Sequence, residues 1–286
     1  MTQLSPSPLL SCNNLNQQIN LPHGIFGAGL RACHYEHWHA TETLPVLEII
    51  ADNYMFLKGG PALYHLARIK ERTTIVVHGV GLNIASAYDL DRDYCYALKD
   101  FCNFINPPVI SDHLCFSASP SHNSFDLLPI PFTKETLNLV SKKINIVQDI
   151  LKRQLTLENI SSYVSYQENS YTEIEFLNEL CKRTGCGILL DINNIFVSAF
   201  NHGYDPWHEI KKVNPHYVNQ YHIAGHSQIE DYLFDTHDKF ACKEVWDLMH
   251  WALINIGKKP VIIERDDADV KFEDLIFEIN YGNNFR

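Results

Sequence analysis

Nowhere among the 286 residues does an uncharged apolar stretch approach 18 residues, so no membrane span is expected. Residues Met1–Pro22 contain no lysine or arginine and no long apolar segment. They lack the basic start and hydrophobic middle of a secretion signal. Basic runs are missing as well. Lys142-Lys143 and Lys258-Lys259 read as solvated helix and turn positions, and the formal charge is −11. A nucleic-acid partner demands a basic patch and is not expected. The eight cysteines (Cys12, Cys33, Cys95, Cys102, Cys115, Cys181, Cys186 and Cys242) contain no Cys-x-x-Cys pair. They read as reduced, mostly buried small apolar residues of a cytoplasmic protein. No Gly-x-Ser-x-Gly elbow supports a serine hydrolase. Gly79-Val80-Gly81 lacks the Gly-Lys-Ser/Thr that would make it a phosphate loop.

What is present is a regular alternation of strand and helix patterns in a chain that is 45% apolar. The stretch Gly187-Ile188-Leu189-Leu190-Asp191-Ile192-Asn193-Asn194 is its centre. It reads as a strand buried on both faces, ending in a carboxylate and amides that strand propensity does not explain. Seven similar strands are expected at Gly24–Arg31, Val46–Ile50, Thr74–Val77, Val109–His113, Leu155–Asn159, Tyr217–Ile223 and Pro260–Glu264. Helices are expected from the Gly59–Pro61 break to Arg72, over Asp91–Phe104, Thr133–Arg153, Thr172–Gly185, Pro206–Val213, Ala241–Ile256 and Val270–Ile279. Asp91 and Thr133 are expected N-caps, and Thr172 with Glu175 a capping box. The segments through Pro120 to Pro131 and from Ala224 to Lys239 read as loops. Eight strands alternating with helices predict a single (β/α)8 TIM-type barrel over residues 24–280, with tails at 1–23 and 281–286.

In that fold the carboxyl ends of all strands meet on one rim. Reading the strand ends alone yields His34, Asp52, His78, Asp112-His113, Glu158-Asn159, Asp191 with Asn193, His222 and Glu264. Each taken singly is more often a satisfied structural residue than a ligand; the set is hard to obtain from packing. Asp235-Thr236-His237 adds two donors at i and i+2, against an alternative of an Asx turn with an exposed histidine. His226 is expected behind the ligands. Four carboxylates (Glu158, Asp191, Asp235 and Glu264) facing one pocket repel unless cations or protons intervene. A nitrogen and oxygen donor set without thiolate suits iron, manganese or zinc and excludes iron–sulfur clusters.

The motifs Gly-Ala-Gly-Leu-Arg (27–31), His-Gly-Val-Gly-Leu (78–82), Ser-Asp-His-Leu (111–114), Leu-Glu-Asn-Ile-Ser-Ser-Tyr (157–163) and Thr-Gly-Cys-Gly-Ile-Leu-Leu-Asp-Ile-Asn-Asn (184–194) follow in that order. His-Ile-Ala-Gly-His (222–226), Asp-Thr-His (235–237) and Ile-Glu-Arg-Asp (263–266) complete them. From about residue 24 to 279 the chain resembles the multinuclear non-haem iron-dependent oxidative enzymes, such as the catalytic subunit of methanobactin oxazolone–thioamide synthesis. The resemblance implies a TIM barrel holding two or three iron ions of mixed Fe(II)/Fe(III) state, with O2 as co-substrate. It implies a cysteine-containing ribosomally made precursor peptide as substrate and a small separate protein that binds its leader. By resemblance His78, His113 and Glu158 hold one iron. Glu158, Asp191, His222 and Glu264 hold a second, Asn193, Asp235 and His237 a third. Glu158, Asp191 and His222 are the expected catalytic centre. His34, Asp52, Asn53, Asp112, Asn159, Asn194, His226 and Asp266 are expected around the ligands or in the substrate pocket. Oxygen bound at ferrous iron would remove a hydrogen from the substrate cysteine Cβ. Products in such families are an oxazolone with thioamide, a thiooxazole, or a peptide that has lost the β-carbon.

Two positions depart from the family pattern. Asp52-Asn53-Tyr54 stands where Glu-Asn-Tyr is common, and Arg265 where an aromatic residue is common. The competing expectation is a divalent-metal hydrolase or isomerase of the xylose isomerase or endonuclease IV barrel type, which uses similar strand-end ligands.

Overall fold

The computed structural model describes residues 25–267 and 270–284. The expected tail 1–23 and Gly24 lie outside the described residues. Eight strands close a parallel barrel: β1 (Phe26–Gly29), β2 (Leu47–Ile50), β3 (Ile75–Gly79), β4 (Ile110–His113), β7 (Thr156–Glu158), β8 (Gly187–Asp191), β9 (Val218–Ala224) and β12 (Val261–Glu264). They neighbour one another in sequence order, and β12 pairs with β1 through Phe26↔Val261 to complete the ring. The TIM-type expectation holds in strand number and order.

Alternation along each strand divides the apolar residues. Leu47, Ile49, Ile75, Val77, Val261 and Ile263 pack outward into the large core under the helices. Val46, Val76, Val109 and Ile262 form a separate buried group on the opposite parity, the floor of the barrel interior. Continuing inward parity from that floor gives Glu48, His78, Ser111 with His113, and Glu264. The barrel therefore changes from apolar to polar along its axis. A bulge on β9 shifts the pairing from Ile188↔Val218 to Leu189↔Gln220. The extra residue, Asn219, bonds to Gln154 and Thr156, and the bulge sets Gln220 and His222 level with Leu189 and Asp191.

The outer helices are α1 (Tyr35–Ala40), α2 (Pro61–Lys70), α3 (Arg92–Ile105), α4 (Lys134–Leu151), α5 (Glu173–Thr184), α6 (Ile192–His202), α7 (Pro206–Ile210), α8 (Lys243–Asn255) and α9 (Phe272–Asn283). Asp91, Thr133 and the Thr172/Glu175 box cap α3, α4 and α5 as expected.

Several elements differ from the sequence expectation. The apolar run after Asn194 is helix α6, which starts directly from β8 because Asp191 Oδ1 caps it, accepting from Asn194 N at 2.6 Å. Helix α1, too short and histidine-rich to show periodicity, was not expected. Each of the two long loops holds a β-hairpin: β5 (Phe116–Ser119) with β6 (His122–Leu128), and β10 (Ser227–Ile229) with β11 (Tyr232–Phe234). Their strands are exposed or half-buried apart from Leu233, so the buried-strand pattern is missing. Helix α9 continues to Asn283, past the expected barrel boundary at 280.

Candidate metal centre

On β3, β4 and β7 three donors converge. His78 Nε2 lies 3.3 Å from His113 Nε2 and 3.2 Å from Glu158 Oε2, and His113 Nε2 lies 3.3 Å from the same oxygen. The tautomer of His78 follows from its other side. Ser111 Oγ donates to Val77 O, so at 2.8 Å it accepts from His78 Nδ1–H. That leaves the Nε2 lone pair facing a carboxylate oxygen and a second imidazole. Burial, with His113 and His222 nearby, holds His78 well below its ordinary range, and burial lowers His113 to about 4. Both rings are neutral at pH 7. Lone pairs crowd together here without enough protons to share, a cation-shaped arrangement.

Glu158 faces both ways. Its Oε1 lies 3.0 Å from His222 Nδ1, which is also 3.2 Å from Glu264 Oε2. Glu158, Asp191, His222 and Glu264 offer donor atoms that all lie within 4.8 Å of one another, as do those of His78, His113 and Glu158. Among the described residues Glu158 Oε2 and Asp191 Oδ2 find no hydrogen-bond partner, although both are buried. Burial pushes Glu158 up to about 7 although His222 opposes it, and burial plus Glu158, Asp235 and Glu264 push Asp191 well above the carboxylate range. Burial disfavours charge on His222, yet Glu264, Glu48 and Glu158 outweigh it and hold the ring well above 6.5. Without a metal the cluster must carry protons between its acids; divalent ions replace those protons at the same oxygens and nitrogens. The residues fit a metal group.

The third expected set is also brought together. His237 Nε2 lies 2.8 Å from Asp235 Oδ1, which accepts from Asn193 Nδ2 at 2.7 Å. Asn193 Oδ1 lies 2.7 Å from His226 Nδ1, so His226 stands behind Asn193. His237 sits at φ 52°, a left-handed conformation costly for a residue with a Cβ, and is held there by its N–H to Gly225 O at 3.0 Å. A Cβ on Gly225 would collide with the Lys239 carbonyl oxygen, so the loop carrying His237 closes only over glycine.

The supporting residues divide. Asn159 brackets Asp191, donating to its carbonyl and accepting from its N–H, both at 2.9 Å. Asn194 donates to Asn159 O. Asp266 bonds His237 Nδ1 at 3.2 Å and pairs with Arg31 at the mouth. Asp52 and Asn53 line the cleft. Asp52 accepts from Val80 N and Tyr94 Oη, Asp112 accepts from Leu82 N, and Tyr94 Oη accepts from Gly81 N. Val80, Gly81 and Leu82 thus spend their N–H groups on Asp52, Tyr94 and Asp112, which leaves none of the three for an anion. Arg265 turns its guanidinium to Glu278 at 3.2 Å and over the Phe240 ring, so its charge is answered away from the ligands.

One expected pocket residue is misplaced. His34 lies beyond the end of β1, in the turn Ala32–His34, with Nε2 on Val270 O and its ring against Phe272. The main chain leaves β1 at Gly29, and the turn that follows points His34 outward beneath α9. One important residue was missed. Glu48, in the interior of β2, is buried with its carboxylate 3.0 Å from His222 Nε2. Its signal was parity: Val46 and Glu48 share the inward face, whereas Asp52 lies past the strand end.

Above the centre opens a cleft of about 1220 Å³, walled by Gly29–Ala32, the 80–83 turn and the β5–β6 hairpin. The hairpin is tied down by Asn83, whose Oδ1 accepts from Ser117 N and whose Nδ2 donates to Ala118 O.

Barrel, cleft and converging donors define a TIM-barrel protein with a candidate multinuclear metal centre at the carboxyl rim of its strands. Solved structures of similar fold include a xylose isomerase-like TIM barrel protein from Mycobacterium smegmatis in complex with magnesium (14% identity, TM-score 0.58, covering 88% of this chain and 87% of that one). Endonuclease IV from Thermus thermophilus is another (15% identity, TM-score 0.59, covering 91% and 98%). At such identities the likeness is one of fold alone. Residues 25–285 match the family of RiPP precursor modification enzymes MbnB/TglH/ChrH, and the chain belongs to that family. Similar curated proteins carry only the description UPF0276 protein. One from Caulobacter vibrioides is 41% identical over 261 residues (91% of this chain, 93% of that protein). One from Rhizorhabdus wittichii is 41% identical over 258 residues (89% and 92%).

Proposed function

We propose that this enzyme uses iron and O2 to oxidise a cysteine of a ribosomally synthesised precursor peptide. The observation that carries the reading is Glu158, whose two oxygens join two donor sets of different composition, one rich in imidazole and one rich in carboxylate. A bridging carboxylate between unlike sites suits neighbouring metal ions with distinct tasks. His78, His113 and Glu158 would hold one ion, and Glu158, Asp191, His222 and Glu264 a second. Asn193, Asp235 and His237 would hold a third. Iron bound there supplies oxygen activation and lowers the pKa of a coordinated substrate thiol.

The chain's own residues orient those donors. Ser111 fixes the His78 ring, Asn159 and the α6 N-terminus fix Asp191, and Asp266 and Gly225 fix His237. The cleft exceeds the roughly 300–1,000 Å³ of usual small-molecule pockets and has room for an extended peptide around the reacting cysteine. A separate leader-binding protein is part of the proposal. Among the described residues no helix is long and apolar enough to cross a membrane.

The test is metal analysis and Mössbauer spectroscopy on protein purified without oxygen, followed by oxygen uptake with a cysteine-containing precursor. Two to three irons per chain and peptide-dependent oxygen consumption are expected. Zinc that iron cannot functionally replace would overturn the oxidative reading and favour hydrolytic chemistry. Full metal content in Glu158→Ala would overturn the ligand assignment.

A further inference from the structure

His222 presents its two ring nitrogens to different surroundings. Nδ1 faces the metal donor set, toward Glu158 and Glu264. Nε2 faces away from it, toward Glu48, whose carboxylate oxygens lie 3.0 and 3.1 Å distant. Glu48 Oε2 also accepts from Gln220 Nε2 at 2.5 Å, and that same amide nitrogen lies 3.1 Å from His222 Nε2. All three side chains are buried. The opposite amide orientation would set a carbonyl oxygen against a carboxylate oxygen at 2.5 Å, so the –NH2 group is the one that faces Glu48.

An amide –NH2 only donates, and an ionised carboxylate only accepts. Glu48 is therefore the one acceptor between two donors, the His222 ring and the Gln220 amide. We propose that Glu48 is a positioning residue that keeps a proton on His222 Nε2 and so leaves the Nδ1 lone pair for a divalent metal ion. Gln220 makes the carboxylate indispensable. With Glu48 gone, the amide donates to Nε2, the ring's proton moves to Nδ1, and an N–H points at the metal position. The inference rests on the metal-centre reading. It goes beyond it in naming two residues that meet His222 only at Nε2, on the side turned from the donor set, and in assigning them opposite effects.

Zinc(II), which is diamagnetic, serves as the probe. In zinc-loaded protein carrying ¹⁵N-histidine, ring ¹H–¹⁵N correlations are expected to show His222 protonated on Nε2. In competition with a chromophoric chelator, Glu48→Met should weaken one zinc equivalent about 10–100-fold, the usual cost of losing such a hydrogen-bond partner. Gln220→Met alone should stay within about twofold of wild type. The double variant Glu48→Met/Gln220→Met should bind more tightly than Glu48→Met, because the competing donor is also removed; a merely structural role for Glu48 gives no such rescue. Equal affinity in Glu48→Met and wild type, or a double variant no tighter than Glu48→Met, overturns the inference while the metal reading stands. If Glu48→Met does not fold, the wild-type spectrum decides: a His222 proton on Nδ1 overturns it. Wild-type protein that takes up neither zinc nor iron overturns both.

Discussion

Glu158 and His222 meet through Oε1 and Nδ1 at 3.0 Å, while the other oxygen of Glu158 is 3.2 Å from His78. A single carboxylate therefore belongs to both candidate sites, and its removal is not equivalent to removing any other ligand. Glu158→Gln keeps size and shape but gives up the charge. Metal content should fall at both sites together, whereas Asp191→Asn should spare the His78/His113 site. The metal-free variant should melt no lower than metal-free wild type, since a buried carboxylate burdened by desolvation has been neutralised. Elemental analysis beside calorimetry on metal-free samples checks both statements.

Ser111 tests the first site more gently. Its hydroxyl accepts from His78 Nδ1, which keeps the ring proton on the side turned from Glu158. Ser111→Ala should weaken metal binding about 10–100-fold with the fold intact. Metal titration followed by competition with a chelator measures it. An unchanged affinity would mean that His78 is oriented by packing alone.

How far the site could be read from sequence depends on where each residue sits. The ligand candidates on β3, β4, β7, β8 and β12 stand at or beside the strand ends, where a charged or polar side chain breaks the pattern visibly, and His222 interrupts β9 two residues before its end. Glu48 stands inside such a run, Val-Leu-Glu-Ile-Ile, and only inward parity from Val46 distinguishes it from a strand-edge residue. His34 fails for the converse reason. It follows an apolar run in sequence, but β1 stops at Gly29 and the intervening turn carries it away from the rim. The two hairpins were illegible because their strands are exposed or half-buried apart from Leu233, so they carry no hydrophobic signature.

Gly225 offers a way to separate the third site from the other two. A Cβ there would run into the carbonyl oxygen of Lys239, in the strand of chain that returns beside His237. Gly225→Ala should shift this loop at a cost of about 1–3 kcal/mol, the usual range for overpacking. His237 should then lose its place while β3, β4 and β7 are untouched. One metal equivalent should disappear and the remainder persist, a result that metal analysis with a thermal melt would show. Loss of every equivalent would contradict three separable sets.

The pH dependence of the metal-free protein follows from His237. Burial opposes its charge, but Asp235 and Glu264 prevail and raise it from 6.5 to about 10. Between those values the folded chain binds a proton that the unfolded chain has released. Its contribution to stability is full below about pH 6.5 and is lost as pH rises through 10. Asp112 acts in the same direction up to about 8, because burial and Asp52 keep its carboxyl protonated in the fold beyond the usual range. The melting temperature of metal-free protein should therefore fall between about pH 7 and pH 9. In His237→Gln the slope should shrink but not vanish, because Asp112, Glu173, Asp191 and His222 are raised in the same direction. Metal displaces the proton at His237, so metal affinity should rise over the same interval and the loaded protein should lose the share of the downward slope that His237 contributes. Melting curves at about pH 7, 8 and 9, with and without zinc, decide the matter. A metal-free melting temperature that climbs across that range would contradict a protonated His237 held between Asp235 and Glu264.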